Sequence, residues 1–184
     1  MPAFSDFDDN ELREMIAKQK IADVVHRYCR GIDRCDIETL SAAFWPDATA
    51  DYGSGRLNAL AWARGAVTAL AGMRRTMHSV GNIVIEVQGD HAWAETYCHA
   101  YHETDGADGP REMVVGGRYL DRFERRAGAW RITHRIYVMD WNRNTPATCQ
   151  WDEGLYAGLK IRGARWPNDP LQAFLPAGEE TRDA

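Results

Sequence analysis

The spacing of apolar residues changes period partway along this chain, and that change sets the expected fold. From Asn10 to Asp33, the residues Ile16, Ile21, Val24, Val25, Tyr28 and Ile32 recur at helical spacing and line one face. Asp8 and Asp9 suit the start of that helix, and Gly31 weakens its last turn. A second helix is predicted from Ile37 to Trp45, stopped by Pro46. Ala48 to Tyr52 reads as a short strand before the Gly53-Ser54-Gly55 turn, and Leu57 to Met73 as an alanine-rich third helix closed by glycine. Beyond it the period falls to two. Met77 to Val87, Ala92 to Thr104, Met113 to Arg125 and Trp130 to Trp141 read as strands, separated by Gly89-Asp90, the loop DGADGP and Ala127-Gly128.

Helices first and a strand meander afterwards predict an α+β fold, a cone-shaped curved antiparallel sheet with the N-terminal helices packed on it. From Asn142 the texture changes, with Trp151, Tyr156, Trp166 and Phe174 set among glycines and prolines. The chain therefore divides into a domain over 1–141 and a C-terminal extension over 142–184. So aromatic an extension is expected to pack over the open end of the cone or against a neighbouring subunit.

Composition narrows the function by exclusion. With 184 residues, 45% of them hydrophobic, the chain can bury a substantial core. Its net charge is −5, and the nearest approach to a basic run, Arg122 to Arg126, is broken by Phe123 and Glu124. Nucleic acid and anionic membranes are thus not expected partners. The acidic start MPAFSDFDDNE does not read as a secretory signal, and no stretch approaches the roughly 18 apolar residues of a spanning helix. A cytoplasmic protein is expected. Cys29, Cys35, Cys98 and Cys149 form no CxxC pair and read as reduced thiols. His99 and His102 are three apart in a strand and so point to opposite faces; with no HExxH element, neither a metal nor another cofactor is expected.

Three polar residues stand where the pattern calls for bland ones: Asp33 ending the first helix, His78 opening a strand, and Arg135 inside the last strand. An acid, an imidazole and a guanidinium on three elements make chemical sense if those elements converge. Hydrogen-bonded to Asp33, His78 would be fixed in one tautomer and made more basic, which suits proton abstraction. The structural alternatives are that Asp33 caps the next helix and that His78 and Tyr28 simply pack. Strict alternation puts Ile132, His134, Ile136 and Val138 on one face and Thr133, Arg135, Tyr137 and Met139 on the other. A guanidinium there is costly unless it is paired, with Glu86 or Glu95 for instance, or faces a polar cavity and stabilises developing negative charge. Tyr97, His99 and Tyr101 share a face with Trp93 and Glu95. They read either as the lining of a pocket or as an outer surface against a sister subunit. Tyr97, His99, Tyr101, Tyr137 and Met139 are the candidate substrate contacts.

With these residues in place, the chain resembles the SnoaL-like branch of the nuclear transport factor two-like superfamily from about Asn10 to Trp141. The matching segments are IADVVHRYCRGIDRCD, MHSVGNIVIEV and DRFERRAGAWRITHRIYVMDW. The resemblance implies a cystatin-like α+β barrel. Members such as scytalone dehydratase, the bile acid dehydratase and hexachlorocyclohexane dehydrochlorinase imply elimination without a cofactor, driven by an Asp-supported histidine. Carried onto this chain, Asp33 is the supporting carboxylate, His78 the base, and Arg135 the arginine of the dehydrochlorinase. Tyr28 falls where that enzyme has a lysine and the bile acid dehydratase a tyrosine, which favours an oxygen leaving group or an enolate. The resemblance therefore implies a cofactor-independent lyase for a small apolar, cyclic substrate, assembled as a homo-oligomer (a trimer or dimer). A ketosteroid-type isomerase, a non-catalytic ligand-binding module and a structural subunit of the same fold are the alternatives.

Overall fold

In the computed structural model, which describes residues 8–175, helix gives way to sheet where the hydrophobic period changes. Helix α1 (Asp9–Arg34) begins with the Asp8 carboxylate accepting from the Asn10 amide and ends on Cys35 in the left-handed conformation (φ 54°). Its stripe of Ile21, Val24, Val25, Tyr28 and Ile32 is buried. Gly31 is a packing point within that stripe. A Cβ there would stand 2.6 Å from the Leu40 amide nitrogen of α2 (Ile37–Ala42), so only glycine lets the two helices approach so closely.

The second helix is shorter than the sequence suggests, because Phe44 already opens strand β1 (Phe44–Asp51) with Pro46 inside it. Proline is tolerated in a strand where its missing N–H is not needed, and the pairing of β1 is interrupted between Phe44 and Thr49. Strand β2 (Arg56–Asn58) takes the first residues expected in the third helix. That helix, α3 (Ala59–Ala71), starts instead after Asn58, whose side chain accepts from the Ala61 amide at 3.0 Å.

Four long strands follow: β3 (Arg75–Gln88), β4 (His91–Thr104), β5 (Arg111–Arg126) and β6 (Ala129–Pro146). They form the expected antiparallel meander, but β1 joins β6 in parallel, so the curved six-stranded sheet is mixed, in the order β2-β1-β6-β5-β4-β3. The helices cover one face. On β4 that face carries Ala92, Ala94, Thr96, Cys98, Ala100 and His102, all buried. These are mostly small side chains, which leave room for the larger Tyr28, Tyr119, Phe44 and Phe123. A bulge in β6 leaves Thr133 without a partner, since Arg122 pairs with His134 and Phe123 with Ile132. Ile132 therefore joins Arg135 on the inner face, both completely buried, which corrects the strict alternation expected of this strand.

Beyond β6 the extension runs along one end of the sheet. The Ala147 amide donates to the Pro110 carbonyl (2.9 Å), and Thr148 N to Glu112 Oε1 (3.1 Å). Trp151 lies 3.4 Å under the Arg75 guanidinium, and after a 3₁₀ turn (Gly154–Gly158) the chain reaches the C-terminal end of α1, where Trp166 N donates to the Arg34 carbonyl at 2.7 Å.

Substituting Gly31→Ala tests the helix–helix contact. Alanine gains about 1 kcal/mol of helix propensity, but the clash with the α2 backbone costs about 1–3 kcal/mol. A net loss of stability is therefore expected, read as a lower urea midpoint with an unchanged m-value.

Candidate active site

Asp33 sits in the last turn of α1 and His78 near the start of β3, on the inner face opposite Ala100. His78 Nδ1 lies 2.6 Å from Asp33 Oδ1, while the His78 backbone amide donates to Oδ2 at 2.8 Å. One carboxylate thus grips the residue by its ring and by its backbone. A carboxylate only accepts, so Nδ1 carries the proton, and in the neutral ring the lone pair is on Nε2. The His78 and Asp33 side chains are 9% and 16% exposed, partly shielded without being sealed. Capping of α2 falls to Asp36, whose carboxylate accepts from Thr39 N at 3.1 Å, which leaves Asp33 for the histidine.

A second imidazole lies beside the pair. The His102 ring stands edge-on to His78 with centroids 5.3 Å apart; the residue is buried and its Nδ1 has no hydrogen-bond partner. Burial, and then the neighbouring His78, push its pKa down to about 4, so it is neutral near pH 7. Period-two reading had already placed His99 and His102 on opposite faces, and His102 is the inner one.

Arg135 lies deeper. Its guanidinium forks onto Asp121, Nε to Oδ1 at 2.7 Å and Nη2 to Oδ2 at 2.6 Å, with both side chains fully buried. Its partner is the residue directly across on β5, not Glu86 or Glu95; Glu95 pairs with Arg118 at 2.7 Å. The rings of Tyr28 and Tyr119 each lie 4.0 Å from the Arg135 guanidinium carbon. Nη1 is buried and makes no hydrogen bond among the described residues. Tyr28 and Tyr52 share a 2.8 Å hydroxyl contact, and Tyr52 stacks on Trp62 at 3.9 Å. Burial raises the pKa of Tyr28 and Tyr119 well above the usual phenol value and that of Tyr52 to about 12, with Arg135 opposing the rise in all three. All three hydroxyls are therefore protonated donors. Burial raises the thiol pKa of Cys29 to about 12 and raises that of Cys98, with the Arg135 charge opposing and the Asp33 charge adding to the rise in both.

The expected substrate contacts divide by face. Tyr137 is on the inner face, stacked 5.6 Å from Tyr52, and Met139 has the same parity but lies toward the open end, 58% exposed. Tyr97, His99 and Tyr101 are on the outer face and cannot reach the dyad, which corrects the pocket-lining expectation for them. The inner parity of β4 belongs to its small residues, which pack under the helices. Tyr97 is 47% exposed, His99 packs 5.6 Å from Trp141, and the Tyr101 hydroxyl meets Cys149 Sγ at 3.3 Å. A groove of about 980 Å³, lined by Trp93, Glu95, Arg122, His134 and Ile136 among others, does not include the dyad. Asp121, Tyr52, Tyr119 and His102 were not singled out from the sequence. Asp121 could have been found by pairing β5 with β6 and asking what faces Arg135. Among the described residues, no cluster of three or more His, Cys, Asp or Glu side chains is arranged to hold a metal ion.

Two stability effects should follow from this interior. Asp121→Ala strands a buried guanidinium and should cost about 3–5 kcal/mol, whereas the paired replacement Asp121→Leu with Arg135→Met should recover much of that loss in urea unfolding. His102 takes up its proton in the unfolded chain near pH 6.5 but in the fold only near pH 4. Across that window the unfolded state binds more protons, so stability falls as pH falls. His102→Asn should flatten that part of the stability–pH curve.

Residues 13–136 match the SnoaL-like domain family. No curated protein sequence matches the chain. In fold it is similar to hexachlorocyclohexane dehydrochlorinase LinA-type3 of Novosphingobium barchaimii, at 18% identity and a TM-score of 0.67 over 78% of this chain and 99% of that one. A candidate scytalone dehydratase of Novosphingobium aromaticivorans aligns at 20% identity and a TM-score of 0.61, covering 74% and 91% of the two chains. A Mycobacterium tuberculosis protein of unknown function aligns at 25% identity and 0.61, covering 70% and 74%. None of the described helices is long and apolar enough to cross a membrane. With helices on a curved sheet, and a family match spanning more than half its length, this chain belongs to the SnoaL-like family.

Proposed function

We propose that the protein is a cofactor-independent lyase of the dehydratase type. The observation that carries this reading is the Asp33–His78 contact, which leaves Nε2 as a free base beside a neutral second imidazole. An imidazole can remove a proton only from an acidified carbon, so the substrate class is a small cyclic compound with a hydroxyl β to a carbonyl. His78 takes the α proton, its electrons form the new double bond by way of an enolate, and the β oxygen leaves as water. Tyr28, hydrogen-bonded to Tyr52, gives its proton to that departing oxygen, and the proton held by His78 returns to the tyrosinate through solvent. Arg135, already held by Asp121, acts through those tyrosines: its charge opposes part of the rise that burial imposes on their hydroxyls, which stay protonated and able to donate.

The homo-oligomer implied by the family would form on the outer sheet face, where Trp93, Tyr97, Ile136 and Trp141 are exposed and Arg118 is held between Glu95 and Asp140. Light scattering should then give a mass at least twice that of the chain.

A panel of cyclic β-hydroxy carbonyl compounds, with product mass as readout, tests the chemistry. Loss of water supports elimination; a product of unchanged mass would move the assignment to isomerisation. On a substrate so found, His78→Ala should lower kcat by about 10²–10⁴-fold while leaving the circular dichroism spectrum unchanged. Asp33→Asn should lower kcat strongly with little change in KM. Full activity in His78→Ala would remove His78 as the base.

A further inference from the structure

The extension places one guanidinium beneath the dyad. Arg165 Nη1 donates to the backbone carbonyl of Asp33 and, at 2.6 Å, to Thr76 Oγ1; Nη2 donates to the carbonyls of Leu70 (2.9 Å) and Met73 (3.3 Å). Asp33 is one member of the dyad. Thr76 lies two residues before the other, on the same inner face, and its own hydroxyl donates to the Asp33 carbonyl at 3.1 Å. Leu70 is in the last turn of α3, and Met73 lies just beyond its cap, Gly72. A single cation thus joins the C-terminal carbonyls of α1 and α3, where the helix dipoles favour positive charge, to the start of the strand that carries His78.

The segment around Arg165 is itself built to hold that side chain in place. Trp166 N donates to the Arg34 carbonyl at 2.7 Å. Asp169, a buried carboxylate, accepts from Ala164 N and Leu171 N, both at 3.0 Å, and pairs with Arg34 Nε at 3.1 Å. Residues on both sides of Arg165 are therefore pinned to the end of α1.

We infer that Arg165 is a positioning residue for the Asp33–His78 pair, and that the extension is a working part of the site. The inference rests on reading that pair as the reacting dyad, but its test does not depend on turnover. β3 is an edge strand, and the His78 amide is held by Asp33 Oδ2. Its hydrogen exchange therefore reports whether Asp33 is in position, as does the low-field Nδ1 proton resonance of His78. In Arg165→Met, exchange at His78 should be at least about tenfold faster, the loss of roughly one charged hydrogen bond. The Nδ1 resonance should broaden, while exchange at Ile132 in the distant core stays the same. Arg165→Lys should restore part of the protection. Thr76→Val, a milder change that removes only the shared hydroxyl, should shift His78 in the same direction by less.

A folded Arg165→Met protein with wild-type exchange and an unchanged Nδ1 signal would overturn the inference. If Arg165→Met does not fold, Thr76→Val decides, and wild-type behaviour at His78 in that variant overturns it equally. A lyase assay that fails while these signals move would count against the proposed reaction and leave the positioning role standing.

Discussion

A guanidinium buried at the centre of the fold constrains almost everything around it. Arg135 has no exposed surface, so its charge must be met inside the protein, and the bidentate contact with Asp121 does so. That contact is made straight across β5 and β6, which ties the ion pair to one register of the longest hairpin. The same charge orders the aromatic shell: Tyr28 from α1 and Tyr119 from β5 present their ring faces to it, and Phe44 lies at 5.8 Å. Helix, hairpin and β1 are thus joined at one charged point. A slip of two residues would keep apolar side chains on their own face, but it would part the fork.

The interior is graded from that centre outward. At the core stand a permanent cation and hydroxyls that burial keeps protonated. At the edge lie a carboxylate and an imidazole, only partly shielded. Between them Cys29 and Cys98 contribute no charge, because burial raises both thiols and takes Cys29 to about 12. On the proposed function, the tyrosine hydroxyls would serve the leaving oxygen and His78 the carbon-bound proton.

The sequence was informative wherever a residue broke its own local pattern. Asp33, His78 and Arg135 were visible because they end, open and interrupt apolar-patterned segments respectively, and the change of period marked where helix ends and sheet begins. Facing was harder to read. Alternation showed that Tyr97, His99 and Tyr101 share a side but not which side; the run of small residues between them, Ala94 to Ala100, was the available signal that helices pack there. The bulge at Thr133 left no mark in the sequence, so Ile132 was placed away from Arg135. Pro46 suggested a helix stop, and its place inside a strand depended on where β1 loses its partner. The partners of the key residues were the least legible, because Asp121 is set by strand register and Arg165 contacts a residue 132 positions away.

That separation has a consequence for how the protein comes into being. Chains emerge from the ribosome N-terminus first, and α1 is complete long before residues 164–171 exist. Strand β1, likewise, waits for β6 as its parallel neighbour. During synthesis the N-terminal half therefore holds its acid and its imidazole without the cation that joins them. On the proposed function, the order of translation brings Arg165 to the Asp33–His78 pair only near the end of synthesis.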